Sequence, residues 1–346
     1  MRAIDIDELK EGMCVARTIY DDAGRVLLSS GVGLNKLYIK KLNIFGIPFV
    51  YVKDEILGPL EVEDVINDRV RLQTVKALKN VVENARMQSD LDLKPVSGMI
   101  NKILDDLKGV PDLLVQIMDP RSSNSYMYSH SVGVSVLSIL TGMALHLDDL
   151  KLKILGMGSL LHDIGKSLGD GPEHTTYGFD ILRNNKELNI LIAHVAYQHH
   201  EKYDGTGYPR SLQGENINIY AAITSVADYY DQLVTNTDKS KRIYPYQALE
   251  LILAESGRTF HPDVVKAFSR NIAPYPIGTA VRLNNGTIGV VAFVPRNYST
   301  RPTIKVIKNH LGILQKNFPV LDLMEETTLF VNEIIKEQER REIIAR

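Results

Sequence analysis

Residues 159–166 read SLLHDIGK and residues 199–209 read HHEKYDGTGYP, and both runs lie in a stretch from His130 to Asp228 that is rich in metal-ligating side chains. Seven of the nine histidines fall within residues 130–200. The candidate ligands are five histidines and two aspartates: His130, His162, Asp163, His174, His199, His200 and Asp228. Imidazole and carboxylate donors without cysteine favour Fe, Mn or Zn over metals that prefer thiolates. The stretch therefore predicts a metal site around which the rest of the chain is organised.

The candidate ligands fall on or beside segments with helical periodicity, which covers residues 92–270 almost throughout. His162 and Asp163 follow one such segment, and successive residues on a helix point about 100° apart. The two side chains can therefore reach two neighbouring metal positions if Asp163 bridges them. Asp228 lies on an otherwise apolar run, where a carboxylate is costly to bury unless it is paired or binds a metal. Two cations about 3.5–4 Å apart can generate a bridging hydroxide and hold both oxygens of a phosphoryl displacement, so we expect a two-metal hydrolase.

The remaining histidines have simpler interpretations. His146, His261 and His310 stand alone in the sequence, and we expect surface or structural positions for them. His194 precedes His199 by five residues, which places it on a different side of the same predicted helix. We expect a structural role for His194 as well.

The segments on either side of the helical region have different patterns. Residues 1–60 are predicted to form a small α/β module with a hairpin, a short helix that ends at Gly46 and a strand over residues 49–52. This module could sense a ligand or serve for packing. Residues 61–95 form a connecting segment with one long predicted helix over residues 61–91, which either signals, dimerises or packs on its own domain. Residues 273–346 are predicted to be β-rich, with a hairpin at Asn284-Asn285-Gly286 and a helical tail.

The predicted architecture is therefore mainly α, with a helical catalytic domain over residues 96–272 between two smaller modules. One of its predicted helices covers residues 112–118. A net charge of −2 with 24% charged residues does not favour binding to DNA, RNA or membrane surfaces. Cys14 is the only cysteine, which fits a reducing compartment. The apolar run over residues 132–147 is shorter than the about 20 residues of a membrane span, so we expect a cytoplasmic protein without membrane insertion.

The run HDIGK at residues 162–166, followed by HHExxDGxGYP at residues 199–209, resembles the signature of the HD-GYP subgroup of HD phosphohydrolases. The second run is far more specific than the His-Asp pair, and the resemblance covers roughly residues 120–270. It implies a helical HD-type phosphohydrolase core and a bacterial metal-dependent phosphodiesterase that hydrolyses a cyclic dinucleotide, most often cyclic di-GMP. The implied reaction is attack of a metal-bridging hydroxide on phosphorus, which gives a linear dinucleotide and, after further hydrolysis, GMP.

The resemblance also implies roles for individual residues. One metal would be held by His130, His162, Asp163 and Asp228, and the second by bridging Asp163 with His174, His199 and His200. Fe and Mn are the expected cations, with Zn, Mg or Ni as alternatives. Lys166 would contact the scissile phosphate beside Asp163, stabilise developing charge and protonate the leaving oxygen. The implied substrate-facing lip consists of Asp204, Gly207, Tyr208 and Pro209.

Several positions depart from the family pattern. Tyr126 stands where some relatives have a glutamate for a third metal, so a binuclear site is expected. The segment between Lys166 and His174 is shorter than is typical, and Ala222 replaces an arginine. An Arg-Pro-Tyr run is missing beyond Asp228, where Lys239, Lys241 or Arg242 could supply the cation. Catalysis is therefore better supported than selectivity for cyclic di-GMP.

Two other functions stay open. An HD phosphohydrolase could act on another nucleotide, which a panel of substrates would reveal. A non-hydrolytic receptor could bind a cyclic dinucleotide and signal to a partner protein, and it would show affinity without turnover in metal-replete protein. The long predicted helix also leaves a homodimer open.

Overall fold

The computed structural model describes residues 1–21, 24–58, 64–109, 114–115 and 126–345. Its helices are α1 (Lys36–Ile44), α2 (Asp68–Arg86), α3 (Lys94–Gly109), α4 (Tyr126–Ala144), α5 (Asp149–Leu160), α6 (His174–Arg183), α7 (Ile190–Gln198), α8 (Ile219–Val234), α9 (Pro245–Ala254), α10 (Pro262–Ser269) and α11 (Glu337–Ala345). Strands occur before α2 and after α10. The prediction of a mainly helical protein with β-containing modules at both ends is confirmed.

A single large hydrophobic core joins α2 to α10. Its central helix is α4, in which every residue from His130 to Gly142 is buried. A helix that is buried on all sides needs neighbours all round, and α4 packs against α5, α8 and α10. Ser135 of α4 satisfies its hydroxyl by donating to the carbonyl oxygen of Gly156 in α5 at 2.9 Å. The core thereby fixes α4, α5 and α8, which carry or precede three of the candidate ligands.

Side-chain caps determine where three of these helices begin. Asp148, Asn189 and Asn218 precede α5, α7 and α8, and each accepts a hydrogen bond from a backbone N–H of the first turn. Such a cap satisfies one of the N–H groups that the start of a helix leaves without a partner. The starts of α5, α7 and α8 therefore follow from local sequence.

The N-terminal module has its own small hydrophobic core. Strand β1 (Arg2–Asp5) pairs antiparallel with β4 (Phe49–Val52), and β2 (Ile19–Tyr20) pairs with β3 (Val26–Leu28). The hairpin, the helix α1 and the last strand follow the sequence prediction. Strand β1 was not predicted, because its four residues mix charged and apolar side chains without a clear alternation.

The C-terminal module is an antiparallel sheet with the strand order β8-β7-β6-β5-β9. The strands are β5 (Ala280–Leu283), β6 (Ile288–Phe293), β7 (Thr303–Lys308), β8 (Val320–Asp322) and β9 (Val331–Ile334). The predicted hairpin joins β5 to β6, and Gly286 adopts a positive φ of 86° in its turn, which favours glycine. Helix α11 follows the sheet.

Ion pairs connect the N-terminal module to both other parts of the chain. Arg340 of α11 lies 2.7 Å from the fully buried carboxylate of Asp54. Asp5 pairs with Arg242 and lies 3.0 Å from Lys239, both in the segment that follows α8. The N-terminal module therefore holds a segment that begins directly after a ligand-bearing helix.

Two predicted helices differ in the structure. The segment over residues 112–118 is not helical at Leu114 and Val115, where it is described, and Val115 forms an isolated parallel bridge with Ile272. Residues 112–113 and 116–118 lie outside the described ranges. The long helix of residues 61–91 is shorter: α2 begins after the cap Asn67 and ends before Gln88, which has a positive φ of 52°. Residues 61–63 lie outside the described ranges. The apolar side of α2 joins the main core, which favours packing within the chain over an exposed seam.

Within the described ranges, no helix combines the length and the apolar character that a membrane crossing requires.

Candidate metal centre

The seven predicted ligands lie together in three overlapping groups. The groups are His130, His162 and Asp228; His162, Asp163 and His199; and His174, His199 and His200. Within each group the candidate donor atoms all lie within 4.8 Å of one another. His162 is shared by the first and second groups, and His199 by the second and third. The arrangement is therefore one continuous cluster with two ends, which we call the first triplet and the third triplet.

The first triplet brings together three helices. His130 lies in the second turn of α4, His162 follows the end of α5, and Asp228 lies in α8. Nε2 of His130 is 2.9 Å from Oδ1 of Asp228, and Nε2 of His162 is 3.7 Å from the same oxygen. All three side chains are almost fully buried. These donor atoms converge on one small volume that solvent barely reaches.

Asp163 stands between the two ends of the cluster. Its Oδ1 lies 3.5 Å from Nε2 of His174 and 3.7 Å from Nε2 of His199. Its Oδ2 lies 3.3 Å from Nε2 of His162 and 2.5 Å from Nζ of Lys166. One carboxylate thus faces both triplets and the lysine.

The third triplet consists of histidines alone. The Nε2 atoms of His174 and His199 are 3.3 Å apart. The ring of His200 packs against both of the others, and its outer face stacks on Tyr208 with centroids 4.9 Å apart. Three imidazoles so close together need a shared cation or a shared proton to avoid repulsion between lone pairs.

Backbone carbonyls orient most of the imidazole rings. Nδ1 of His162, His174 and His199 lies within 2.9 Å of the carbonyl oxygens of Ser159, Gly171 and Ala196, respectively. Donation from Nδ1 selects the tautomer in which Nε2 of the neutral ring carries the lone pair that faces the cluster. Hydrogen bonding at the far ring nitrogen is typical of histidines that bind metals.

The pKa values differ between the two triplets. Burial opposes the charged form of His162, but Asp163 and Asp228 outweigh it and raise the pKa to about 10. The pKa of each aspartate is lowered well below its usual range, because the neighbouring histidines outweigh burial. At the other end, burial and the charge of His199 lower the pKa of His200 to about 2. The first triplet thus attracts positive charge, and His200 offers a neutral nitrogen.

Several buried donor atoms of the cluster are not satisfied by hydrogen bonds. Within the described part of the chain, His130 Nε2, His162 Nε2 and Asp163 Oδ1 have no hydrogen-bond partner. The contact of 2.9 Å between His130 and Asp228 is close but not aligned as a hydrogen bond. An unsatisfied buried polar atom costs about 1–3 kcal/mol, which coordination of a cation would remove. The donor set of nitrogen and carboxylate oxygen fits a metal-dependent enzyme.

Two glycines allow the chain to approach the cluster closely. A Cβ on Gly165 would lie 1.9 Å from the carbonyl oxygen of His174, so only glycine lets the turn after Asp163 pack on α6. A Cβ on Gly207 would lie 2.5 Å from the carbonyl oxygen of His200. The backbone N–H of Tyr208 donates to that same oxygen at 3.2 Å, which brings the tyrosine ring over His200. The two glycines of the motifs therefore allow the close backbone contacts that place His174 and His200.

The predicted substrate-facing residues lie in different surroundings. Tyr208, 36% exposed, stands over the third triplet, while Asp204 accepts hydrogen bonds from Thr206 within its own turn. Lys239 lies 2.9 Å from Asp7 and 3.0 Å from Asp5. Lys241 is 71% exposed and lies 3.7 Å from Asp238. Tyr208 therefore contacts the cluster, whereas Lys239 forms ion pairs with the N-terminal module.

Three residues near the cluster were not predicted. Oδ2 of Asp231 lies 2.7 Å from Nδ1 of His130 and accepts its hydrogen bond. The side-chain amide of Gln232 donates to Oδ1 of Asp228 at 2.7 Å. Their spacing of three and four residues after Asp228 puts them on the same side of α8, and this spacing could have identified them. The buried carboxylate of Glu201 accepts from the backbone N–H groups of Arg210 and Leu212, so it closes the loop that carries Tyr208.

The position of Tyr126 bears on a third cation. Its ring stacks on His130 with centroids 5.7 Å apart and an interplanar angle of 7°. An aromatic ring therefore lies against His130 at the position where some relatives have a glutamate, and the binuclear site stays a prediction.

Comparison with known proteins gives a consistent assignment. A family model described as "HD domain" matches residues 127–233, and one described as "KOW domain associated with HD domain" matches residues 280–343. A cyclic di-GMP phosphodiesterase of Pseudomonas aeruginosa is 30% identical over 247 residues, which are 66% of this chain and 59% of that protein. A cyclic di-GMP phosphodiesterase of Thermotoga maritima is 30% identical over 226 residues, 58% of this chain and 61% of that protein.

A third relative has a different name. A 3'3'-cGAMP-specific phosphodiesterase of Vibrio cholerae is 37% identical over 115 residues, 31% of this chain and 22% of that protein. This chain spans 59% and 61% of the length of the first two relatives, which is less than two thirds of each. The matched HD region contains all seven residues of the cluster. Residues 127–233 therefore form an HD domain, and the resemblance to the HD-GYP type that the motifs predict is confirmed.

Proposed function

We propose that the chain is a metal-dependent phosphodiesterase that hydrolyses a cyclic dinucleotide, most directly cyclic di-GMP. The observation that carries this proposal is the position of Asp163, whose two oxygens face the two triplets and Lys166. The names of the relatives supply the substrate class.

The proposed cofactors are two divalent cations, most directly Fe or Mn, with Zn, Mg or Ni as alternatives. His130, His162, Asp163 and Asp228 would hold one cation, and Asp163, His174, His199 and His200 the other. Such a pair supplies activation of water at neutral pH and stabilisation of the attacking and leaving oxygens of a phosphoryl group. The overlap of the groups at His162 and His199 supports this division.

Lys166 is the proposed general acid and charge stabiliser. Its side chain is 26% exposed, so its ammonium group can contact a bound phosphate while Asp163 holds it in place at 2.5 Å. In the overall reaction the oxygen of a water molecule forms a bond to phosphorus, and the bond from phosphorus to a ribose oxygen breaks. That leaving oxygen needs a proton, which an ammonium group beside the phosphate can donate. The same positive charge stabilises the oxygens that gain negative charge on the way.

Tyr208 is the proposed contact for a nucleobase. Its ring is stacked on His200 on one side and partly exposed on the other. Aromatic faces bind bases by stacking without strong selectivity among them. Gly207, Pro209 and Asp204 would shape this lip, and Lys239 and Lys241 remain proposed phosphate contacts beyond it. A rim built in this way accepts the class of cyclic dinucleotides more readily than it selects one member.

The experiment is a hydrolysis assay on anaerobically purified protein that is loaded with Fe(II) or Mn(II). Cyclic di-GMP, 3'3'-cGAMP and a linear dinucleotide are the substrates, and products are separated by chromatography. An Asp163→Asn variant is the control for contaminating activity. Turnover of one cyclic dinucleotide is expected. Tight binding without turnover would support the alternative of a receptor that signals to a partner, and turnover of another nucleotide alone would support a different HD phosphohydrolase.

The organisation of the chain is also a proposal. We divide it into residues 1–60, 61–95, 96–272 and 273–346, which the distinct cores of the N-terminal and helical parts support, whereas Ile56 and Leu57 pack with the C-terminal sheet. The single cysteine supports a cytoplasmic location. Light scattering of the purified protein tests the proposed homodimer.

A further inference from the structure

The last turns of α8 present two polar residues to the first triplet. Asp231 and Gln232 follow the ligand Asp228 by three and four residues, so they lie on the same side of the helix. Neither belongs to any of the three groups of candidate ligands. Each nevertheless makes a short hydrogen bond to a member of the first triplet.

Asp231 fixes the ring of His130. Nδ1 of His130 lies 2.7 Å from Oδ2 of Asp231, and both side chains are only 4% exposed. Thr235, one turn further along α8, donates to the same Oδ2 at 3.2 Å and holds the carboxylate in place. With Nδ1 bound to a carboxylate, the proton stays on Nδ1 and Nε2 is directed at Asp228. A carboxylate partner also makes the imidazole a stronger donor to a cation.

Gln232 fixes the carboxylate of Asp228. Its side-chain amide donates to Oδ1 at 2.7 Å, although Gln232 itself is exposed. This is the oxygen that lies 2.9 Å from Nε2 of His130. An amide on the solvent side therefore restrains the orientation of a buried ligand.

The third triplet is supported differently. His174 and His199 are oriented by the backbone carbonyls of Gly171 and Ala196. Substitution of a side chain at Asp231 or Gln232 should therefore leave that end of the cluster intact. This asymmetry makes the roles of the two residues testable separately from the stability of the fold.

We propose that Asp231 and Gln232 are positioning residues that orient His130 and Asp228 for cation binding by the first triplet. This inference rests on the proposed function, because it assumes that the cluster binds two cations. The inference adds that one turn of α8 positions the ligands of one of these two cations. The segment that follows α8 contains Lys239, which pairs with Asp5 and Asp7. The N-terminal module therefore contacts the segment directly after the helix that carries both positioning residues.

The test is an anaerobic titration of metal-free full-length protein with Co(II), whose absorption reports coordination, in competition with a chromophoric chelator. The variants are Asp231→Ala, Asp231→Asn and Gln232→Met. Asp238→Asn and Gln338→Met are matched controls at exposed carboxylate and amide positions. Thermal unfolding of each metal-free protein is measured in parallel. Gln232→Met changes an exposed side chain, so it keeps the test valid if a substitution at buried Asp231 prevents folding.

Two equivalents of Co(II) are expected for the wild type. Asp231→Ala should lower the affinity for one Co(II) by about 10–100-fold and leave the affinity for the other unchanged. Asp231→Asn should have a smaller effect because its amide oxygen keeps an acceptor, and Gln232→Met should weaken the same equivalent by about three- to tenfold. Equal weakening of both equivalents, or a lower Tm with unchanged Co(II) affinities, would overturn the inference. Wild-type protein that binds no Co(II) would instead overturn the proposed function.

Discussion

The ammonium group of Lys166 lies 2.5 Å from Oδ2 of Asp163, whereas Oδ1 of the same carboxylate faces His174 at 3.5 Å. The carboxylate therefore separates the histidine cluster from the lysine and fixes the distance between them. A positive charge is thus held at the edge of the cluster on a side chain that is 26% exposed, whereas His174 is almost fully buried. This arrangement suits a group that acts on a bound anion without binding a metal itself.

Replacement of Lys166 by methionine should separate catalysis from metal binding. Loss of one preorganised charge beside the reacting phosphate is expected to lower kcat by about 100- to 1,000-fold. Metal content should stay at the wild-type level, because Lys166 offers no lone pair to the cluster while Asp163 remains. The measurements are steady-state hydrolysis of cyclic di-GMP and elemental analysis of the same samples. Lys151→Met, which removes an exposed lysine 3.0 Å from Asp148, is the control. An unchanged kcat in Lys166→Met would exclude the proposed role.

Removal of single carboxylates should change the metal stoichiometry in different ways. Asp228 lies in the first triplet alone, so Asp228→Ala is expected to lose one equivalent of metal. Asp163 faces both ends of the cluster, so Asp163→Ala is expected to lose both or to bind them much more weakly. Elemental analysis after anaerobic loading measures this difference, with Asp180→Ala, an exposed partner of Arg183, as the control. If both variants kept two equivalents, the proposed ligand assignment would be wrong.

The sequence predicted the helices that carry the cluster better than it predicted the supports around them. The helices from His174 to Arg183 and from Ile219 to Val234 lie within the region of residues 92–270 that the sequence predicted to be helical. Their periodic apolar faces, and the Asn218 cap of the second helix, are local signals that a single sequence contains. The sequence also predicted that the seven ligands come together. The reason is that a carboxylate such as Asp228 in an apolar run is costly to bury unless it is paired or binds a metal.

The spacing after Asp228 places Asp231 on the cluster side of α8, but no local pattern shows which distant residue Asp231 contacts. The pair of His130 and Asp231 joins residues 101 positions apart, and that of Lys239 and Asp7 joins residues 232 positions apart. Val115 illustrates the converse error, since it lies in a predicted helix but forms a bridge with Ile272. Pairing with a distant residue decided the conformation of Val115, and periodicity could not reveal it.

Asp64 should make stability depend on pH. The carboxylate is 14% exposed, and although burial would raise its pKa, the charges of Arg71 and Arg17 lower the pKa below the usual 3.8. A group with a lowered pKa stabilises the folded state above its unfolded pKa, and the contribution is lost as pH falls through the folded pKa. We therefore expect the unfolding free energy of the wild type to fall below about pH 4.

Asp64→Asn should lower the unfolding free energy by about 2–4 kcal/mol at pH 7, because two largely buried arginines lose a partner. The unfolding free energy of this variant should also depend less on pH below about pH 4. Asp68→Asn is the matched control, since Asp68 also pairs with Arg17 but is 33% exposed, and its loss should be at most about 1 kcal/mol. Urea unfolding followed by circular dichroism between pH 3 and pH 7 measures both effects. Equal losses in the two variants would show that the position of Asp64 among the arginines has no special role.

The last prediction concerns Lys239, which the sequence indicates as a phosphate contact and which the structure places 2.9 Å from Asp7. If Lys239 binds substrate, Asp7 competes with the phosphate for its ammonium group. Asp7→Asn should then lower KM by about two- to fivefold at low salt, the range expected for an exposed ion pair, with kcat unchanged. Lys239→Ala should raise KM, and the double variant should show no gain from Asp7→Asn.

The controls are Glu11→Gln, which removes an exposed carboxylate 3.5 Å from Lys36, and Lys241→Ala, which tests the neighbouring cation. Initial rates over a range of cyclic di-GMP concentrations at two ionic strengths give KM and its dependence on salt. A gain that persists in the double variant would mean that Asp7 repels the substrate without help from Lys239. An unchanged KM in both single variants would assign Lys239 to the contact with the N-terminal module, and the phosphate contact would then fall to Lys241, whose side chain is 71% exposed.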